Sequence, residues 1–524
     1  MTERACEIIL PDCADLPRII LKPDFLSFTI DTSLLLGGHW WGDSKKMIRG
    51  VACDRVKKLD LADKKLIAYA RALSPAMLRI GGTEADRVSY KPGEKAVAEI
   101  YRQRPGAEAG TKDETGYAPD THEYILKKRL WKQIHNFLEG AKMSLLFTVS
   151  AGPGDRDSSG IWQEKNARKL IAYSVKKKYR VAAWEFGNEV NGFPFIYGWK
   201  RRVTPAQYAR DFARFGHLVK SLDPGSRILG PASAVWPKIG EPYPIIGKLC
   251  KSAAAVFLDA VSWHYYPQQS SRGKIVTKKT GLNTMLSARA LNGVATRNGR
   301  IRIAVENANR IRSNLSPAEN WLTETGHALY GGEPGISDTF VSTLWWLDEL
   351  GLLAREGVTK VFRQSLTGSA YGLLDQDTIG PRPDYYASFL WKRLMGKCVY
   401  DPMFAIRPDP KLRVYLHANP AGKKITLLCA NTDKRLPARV TMKDKSGAII
   451  AATEKYLLQG MGKIDSKEIA LNGIRIEDDL VFKWEGKKTR DKYKIEEFSD
   501  GDNSGRYSLP PLSVLFLCAQ REKT

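Results

Sequence analysis

A chain of 524 residues is too long for one ordinary core and fits one large barrel plus a smaller domain. Its 43% hydrophobic and 10% aromatic content exclude disordered and collagen-like classes, and no run approaches the roughly eighteen apolar residues of a membrane-spanning helix. The 82 Lys and Arg against 57 Asp and Glu leave a charge of +25, which draws polyanions and keeps nucleic acid, anionic membrane and sulfated or uronic polysaccharide in view.

Residues 1–20 carry acids, Cys6, Cys13, Pro11 and Pro17 where a secretion signal needs a basic start and an unbroken apolar core. The reading is therefore a cytoplasmic protein, or an extracellular or periplasmic one already trimmed. The seven cysteines are odd in number and scattered, without a CxxC spacing, and read as buried free thiols.

Short apolar runs then alternate with helical patterns, the arrangement of a parallel sheet wrapped by helices. Eight candidate strands lie at 25–31, 77–82, 145–151, 181–186, 228–231, 260–266, 320–325 and 360–365, and eight is the count of a (β/α)8 TIM barrel. Helical patterns fall at 61–73, 123–142, 163–178, 205–222 and 337–356, the last opening on the candidate cap Ser337 and Asp338. From about 399 the period shortens to two, as in 412–417 and 424–430, which reads as a β-sandwich. The expected organisation is an N-terminal segment 1–17 adding a strand to the sandwich, a catalytic barrel over 18–398 and the sandwich over 399–524. Two long inserts, 37–56 and 91–121, follow barrel strands and should overhang the mouth.

Catalytic residues of such barrels stand at the C-terminal ends of strands. Glu189 follows the fourth run in Gly187-Asn188-Glu189, and Glu324 ends the seventh in Trp321-Leu322-Thr323-Glu324. Hydrolysis of a glycoside with retention needs two carboxylates about 5–5.5 Å apart, one as acid and base, the other as nucleophile. Strands four and seven of a closed barrel can supply that pair. Glu306 is a rival nucleophile if 300–305 were the seventh strand, although Ile301, Val305 and Ala308 also fit a helical face. Glu185 reads as a barrel-to-helix salt-bridge partner and His264 as a packed, hydrogen-bonded barrel residue. No His, Asp and Glu cluster has metal-ligand spacing, so no metal and no cofactor is expected.

Gly187-Asn188-Glu189 resembles the acid/base signature of the large clan of retaining barrels. The stretch from Asn320 to Thr325, continuing through Tyr330-Gly331-Gly332 to Ser337-Asp338-Thr339-Phe340, resembles the nucleophile region of glycoside hydrolase family 79, the heparanase and leech-type hyaluronidase family. Leu73-Ser74-Pro75, Arg79-Ile80-Gly81-Gly82-Thr83, Arg363-Gln364, Tyr371-Gly372-Leu373-Leu374-Asp375, Pro383-Asp384-Tyr385-Tyr386 and Leu412 to His417 follow in the family's order and extend the resemblance over most of the chain.

That resemblance implies Glu189 as acid/base, Glu324 as nucleophile and Asn188 as ligand of the substrate's 2-hydroxyl. It implies that Tyr266 bonds the nucleophile, that Gly331, Gly332 and Tyr371 hold the uronate carboxylate, and that Asp31 and Thr83 line the minus-one sugar, the one whose anomeric carbon is attacked. The implied activity is endo-hydrolysis of a β-glucuronide bond in an anionic glycosaminoglycan, heparan sulfate first and hyaluronan second, with no nucleic acid as partner and a monomer as the working form. An exo-acting β-glucuronidase is the alternative within the class, and a non-catalytic heparin- or nucleic-acid-binding protein is the alternative outside it. The sequence departs from heparanase after the fifth strand, where Ala232 to Pro237 lacks a Gly-Gln-Pro-Arg type of loop. It departs also at Ala418, where mammalian heparanase has a disulfide cysteine, and in the shorter 91–121 insert, which implies a single uncut chain.

Overall fold

The computed structural model describes residues 4–12, 15–42, 47–48, 51–92, 121–236, 238–274, 276–496 and 505–520. Eight strands close a parallel barrel: β1 (Leu26–Asp31), β2 (Ala76–Gly81), β3 (Met143–Val149), β4 (Ala183–Phe186), β5 (Arg227–Val235), β6 (Ala260–Tyr265), β7 (Glu319–Thr325) and β8 (Lys360–Arg363). They follow one another round the ring in chain order, and β8 pairs with β1. Each strand is covered by side chains within and helices without, so the runs are nearly continuously buried rather than alternating.

Side-chain parity divides the interior into two levels. Met77, Leu146, Ala183, Leu229, Ala260, Trp321 and Phe362 fill the lower level as one apolar cluster. Two residues further along β2, β3 and β4 the inward positions are Arg79, Thr148 and Glu185, so the interior turns polar toward the mouth. On β7 the simple alternation would send Glu324 outward with Leu322. A register shift between Trp263 and His264 inserts Thr323 as an extra residue and sets Glu324 opposite His264 instead. This β-bulge re-aims the side chain into the mouth.

Helices cover the barrel at Lys64–Ala72, Lys128–Ala141, Lys165–Lys176, Pro205–Leu222, Gly293–Ile311, Phe340–Arg355 and Pro383–Leu394. Exposed Glu306 lies within Gly293–Ile311, not on a strand, which removes it as a nucleophile. The helix expected to open at Ser337 and Asp338 starts at Phe340 with Thr339 as its cap residue. Ser337 serves His327 Nδ1 and the Glu333 amide, and Asp338 accepts from the Gly335 amide, so both polar side chains hold the preceding turn.

Beyond the barrel lie an eight-stranded sheet and a four-stranded sheet, sharing a core that includes Cys6, Ile8, Leu416, Leu427, Cys429, Val440 and Leu517. The N-terminal strand Arg4–Ile9 runs parallel to Ala438–Lys443 and antiparallel to Met403–Ile406 within the smaller sheet. Phe340–Arg355 is buried along nearly its whole length between barrel and sheet, where Asp348 accepts from Arg413 Nε at 2.6 Å and Tyr415 at 2.5 Å. Cys6, Cys53, Cys250, Cys398, Cys429 and Cys518 are buried free thiols; Cys13 lies outside the described residues. No helix among the described residues is long and apolar enough to cross a membrane.

Of the two inserts, His39–Trp41 pairs with Val51–Arg55 into a small antiparallel unit. Val88–Lys91 runs parallel to Tyr124–Lys127, and 93–120 lies outside the described residues.

Candidate active site

Arg79 organises the mouth. Its guanidinium is fully buried, with Nε donating to Glu185 Oε2 at 2.7 Å, Nη1 to Glu324 Oε2 at 3.0 Å and Nη2 to Asn188 Oδ1 at 2.9 Å. Three acceptors from β4, its following loop and β7 thus converge on one rigid fork. Glu185 takes a second bond from Thr148 Oγ1 at 2.8 Å and is held below the ordinary carboxylate range by the charge of Arg79, against the cost of burial. The expectation of a barrel-to-helix pair for Glu185 is corrected here. Phe186 packs outward on Trp162 and Phe215, and parity sends Glu185 inward.

Glu324 receives Tyr266 Oη on Oε1 at 2.6 Å, which with Arg79 gives each of its oxygens a donor. Burial and the Glu324 charge push the Tyr266 phenol well above its usual range, so it remains a donor.

Glu189 stands in a left-handed conformation, φ +49°, and its amide donates to Ala232, itself at φ +49°. Such a backbone costs about 1 kcal/mol or more for a residue with a Cβ, and it turns the carboxyl over the mouth. Burial raises the Glu189 carboxyl to about 7, the opposing charge of Arg79 notwithstanding. Its Oε1 lies 2.9 Å from His264 Nδ1, and the same nitrogen is 3.8 Å from Glu324 Oε2. Burial lowers His264 to about 4, so the ring is neutral near pH 7. Its Nε2 is buried without a hydrogen-bond partner among the described residues, which favours the tautomer with the proton on Nδ1, because an idle acceptor costs less than an idle donor. His264 is thus packed and hydrogen-bonded, as expected, with Glu189 as its partner and Glu324 close by.

Asn188 is fixed on both sides: its Oδ1 also takes the Gly82 amide at 3.1 Å, and its own amide donates to Asp86 Oδ2 at 2.9 Å. Asp86 accepts from the Ala151 amide as well, tying the loops after β2, β3 and β4 together. Asp31 caps the short helix Thr32–Leu36 through the Ser33 amide at 2.8 Å. Burial raises it to about 7. Gly82, at φ +95°, admits Asp31, since a Cβ there would fall 1.8 Å from Asp31 Oδ2. Thr83 opens the turn Thr83–Arg87 at the same edge, half-buried.

Across the mouth, the buried ring of Tyr371 stacks on Tyr266 at 6.4 Å and meets Trp40 edge-on. Its phenol accepts from Gln364 Nε2 at 3.3 Å, and its amide donates to the Gly331 carbonyl at 3.1 Å. Gly331 and Gly332 both have positive φ. The Gly332 amide donates to the Ala328 carbonyl at 3.0 Å and closes a turn. Arg272 Nη1 donates to the Gly331 and Gly332 carbonyls at 3.3 and 2.9 Å and brings a cation to this corner. Arg79, Asp86 and Arg272 escaped the sequence reading as site residues. Arg79 alone stood within a quoted motif, and the signal available was an arginine at an inward parity of a barrel strand.

Glu189, His264 and Glu324 each offer one donor atom, all within 4.8 Å of one another. Two carboxylates and an imidazole could gather a divalent ion, but the Arg79 cation already bonds one of these carboxylates.

A family model described as glycosyl hydrolase family 79, N-terminal domain, matches residues 29–351. The chain belongs to this family. It is 30% identical to heparanase of Gallus gallus over 86% of this chain and 85% of that protein. It is 27% identical to inactive heparanase-2 of Homo sapiens over 87% and 80%. The crystal structure of a 4-O-α-L-rhamnosyl-β-D-glucuronidase from Fusarium oxysporum matches with a TM-score of 0.62 at 16% identity, covering 98% of this chain and 99% of that one, a likeness of fold. The chain is a glycoside hydrolase on a TIM barrel.

Proposed function

We propose that this glycosidase cleaves β-glucuronide bonds within an anionic glycosaminoglycan, heparan sulfate first and hyaluronan second, with retention of configuration. The observation that carries the reading is a carboxylate oxygen of Glu189 within 4.8 Å of one of Glu324. A nearest-oxygen approach of that size supports the roughly 5–5.5 Å separation of a retaining pair over the roughly 6.5–9.5 Å of an inverting pair, which must admit a water. Glu324, held on both oxygens, attacks the anomeric carbon. Glu189, at about 7, protonates the leaving oxygen and then takes a proton from water. Asn188, its oxygen occupied by two donors, presents its NH2 to the 2-hydroxyl. Asp31 and Thr83 line the same sugar, and its carboxylate sits at the Gly331 N–H and Tyr371 with Arg272 near. The heparanase relatives and the +25 charge support a polyanionic substrate. Family membership alone is no guarantee of turnover, given a relative named inactive, so the carboxylate pair bears the weight.

The exo-acting alternative has one observation in its favour: Trp41 packs edge-on to Tyr330 beside Gly331 and walls that side of the mouth. The test is the product size distribution from heparan sulfate and hyaluronan. Oligosaccharides falling steadily in length mean internal cleavage, release of single uronates means exo action, and no cleavage of either polymer or of an aryl β-glucuronide would remove the reading.

A further inference from the structure

The loop that follows Glu189 carries apolar surface that folding leaves uncovered. Among the described residues the exposed large apolar side chains include three aromatics, Phe195, Trp199 and Phe482. Two of them, Phe195 at 59% and Trp199 at 63% exposure, lie only six and ten positions beyond Glu189. Phe195 meets Trp236 of the loop after β5 with ring centroids 5.0 Å apart, and Trp199 meets Tyr243 at 6.3 Å. Ile239, 60% exposed, tops the turn that Trp236 and Gly240 close through reciprocal backbone bonds of 2.7 and 3.0 Å.

This surface is tied to the catalytic loop rather than draped over it. The Gly192 amide donates to the Glu189 carbonyl at 2.7 Å, and a Cβ on Gly192 would lie 3.8 Å from the Trp236 ring. Asn191 exchanges two hydrogen bonds with the Ala234 backbone, at 2.9 and 3.0 Å, locking the loops after β4 and β5 together. An aromatic pair beside the acid/base of a glycosidase has a chemical meaning. A pyranose ring shows a face of C–H groups, and an aromatic face is electron-rich, so the two stack. Uncovered apolar patches of this kind mark ligand surfaces.

The side of the mouth decides which sugar is meant. The uronate carboxylate seat lies after β7 and β8, whereas Glu189, which delivers a proton to the leaving oxygen, lies after β4. We infer that Phe195 and Trp236 form the platform for the leaving-group sugar, a hexose or hexosamine residue on the reducing side of the cleaved bond, held by stacking on its apolar face. Exposed Lys200 and Arg202, the latter 5.8 Å from the Trp199 ring, border the platform and suit an anionic substituent on that sugar or the next. The inference rests on the glucuronidase reading of the same site.

The test compares kcat/KM on a heparan sulfate oligosaccharide with kcat/KM on 4-nitrophenyl β-glucuronide, which has no leaving-group sugar to stack, in wild type, Phe195→Ala, Trp236→Ala and Phe195→Tyr. The expected result is a fall of about tenfold or more in the oligosaccharide-to-aryl ratio for both alanine variants, carried by KM, with Phe195→Tyr keeping the wild-type ratio. Phe195 is mostly solvent-exposed, so its alanine variant decides the matter should Trp236→Ala fail to fold. A ratio within twofold of wild type in Phe195→Ala, or a loss confined to kcat, overturns the platform while leaving the glucuronidase reading in place. Wild-type protein that releases no nitrophenol and cuts no oligosaccharide overturns both.

Discussion

Nη1 of Arg79 donates to Oε2 of Glu324 at 3.0 Å from a guanidinium that solvent does not reach. Because Nε and Nη2 of the same group hold Glu185 and Asn188, the proposed nucleophile, a buried structural carboxylate and the proposed 2-hydroxyl ligand share one anchor. Arg79→Lys keeps the charge but offers a single nitrogen in place of a three-pronged fork. Turnover of an aryl glucuronide should fall about 100-fold or more. Arg79→Met, which leaves Glu185 buried with no cation, should cost about 3–5 kcal/mol of stability. Near-wild-type turnover in the lysine variant would show that the anchor is dispensable.

Glu324→Gln keeps the shape and both hydrogen-bonded neighbours but cannot form the glycosyl ester. Turnover should drop at least about 10,000-fold with the far-UV spectrum unchanged. Glu306→Gln alters an exposed side chain on the helix Gly293–Ile311 and should retain the wild-type rate. The opposite pattern in a paired assay would move the nucleophile away from β7.

Several buried carboxyls make stability depend on pH in an unusual direction. Burial raises Asp31, Asp86, Glu189 and Glu241 to about 7 and Glu349 to about 8. Their folded values exceed the unfolded ones, so between roughly pH 4.5 and 8 these carboxyls bind more protons folded than unfolded, and their contribution to stability falls as pH rises. Buried His135, His264 and His417, lowered to about 4, and His327, lowered to about 3, act in the opposite sense below about pH 6.5, where the unfolded imidazoles take up protons. Above that pH the carboxyls prevail, and calorimetry should give a higher Tm at about pH 6.5 than at about pH 8. Glu189→Gln should flatten part of that slope, and a Tm that climbs from about pH 6.5 to 8 would contradict the assignment of these groups as protonated.

The charge excess predicts a salt effect specific to polymer. Because +25 steers a polyanion toward the protein and salt screens that field, kcat/KM on heparan sulfate should decline between about 0.05 and 0.5 M salt. The aryl glucuronide, with one charge, should respond less. Equal slopes would place the basic surface away from the route to the mouth.

The sequence was most readable where its pattern is periodic. Pro205–Leu222 matches the expected helix 205–222 because an apolar stripe, the Thr204 cap and Pro205 all point the same way. The seventh strand was legible as a run, yet the bulge at Thr323 that turns Glu324 inward leaves no mark in composition. Nor does any local signal reveal that Arg79 holds Glu185, since the partners stand 106 positions apart. The Gly331-Gly332 pair was legible as a turn, but which carbonyl takes the Gly332 N–H, that of Ala328, is settled by backbone geometry and not by the motif. The misplaced cap at Ser337 has the same origin: a side chain suited to capping found a better bond with His327.

The division of labour between the two glutamates gives the sharpest test. Burial holds Glu189 at about 7, so below that pH it carries the proton that a poor leaving group requires. The rate on oligosaccharide should therefore fall on the alkaline limb as pH passes through about 7, and Glu189→Ala should abolish that limb together with most of the activity. An aryl glucuronide with a good leaving group needs little protonation, so in Glu189→Ala the first step on it should persist and the glycosyl ester on Glu324 should accumulate, because no base activates water. Azide is small, anionic and needs no base, and truncating Glu189 removes the side chain that contacts His264 at 2.9 Å, which should make way for it. Added azide should restore turnover and yield the β-glucuronyl azide, the product of two inversions at the anomeric carbon. An α-configured azide product would mean a single displacement and would refute retention. A folded Glu189→Ala protein that azide does not rescue would take the acid/base role away from Glu189.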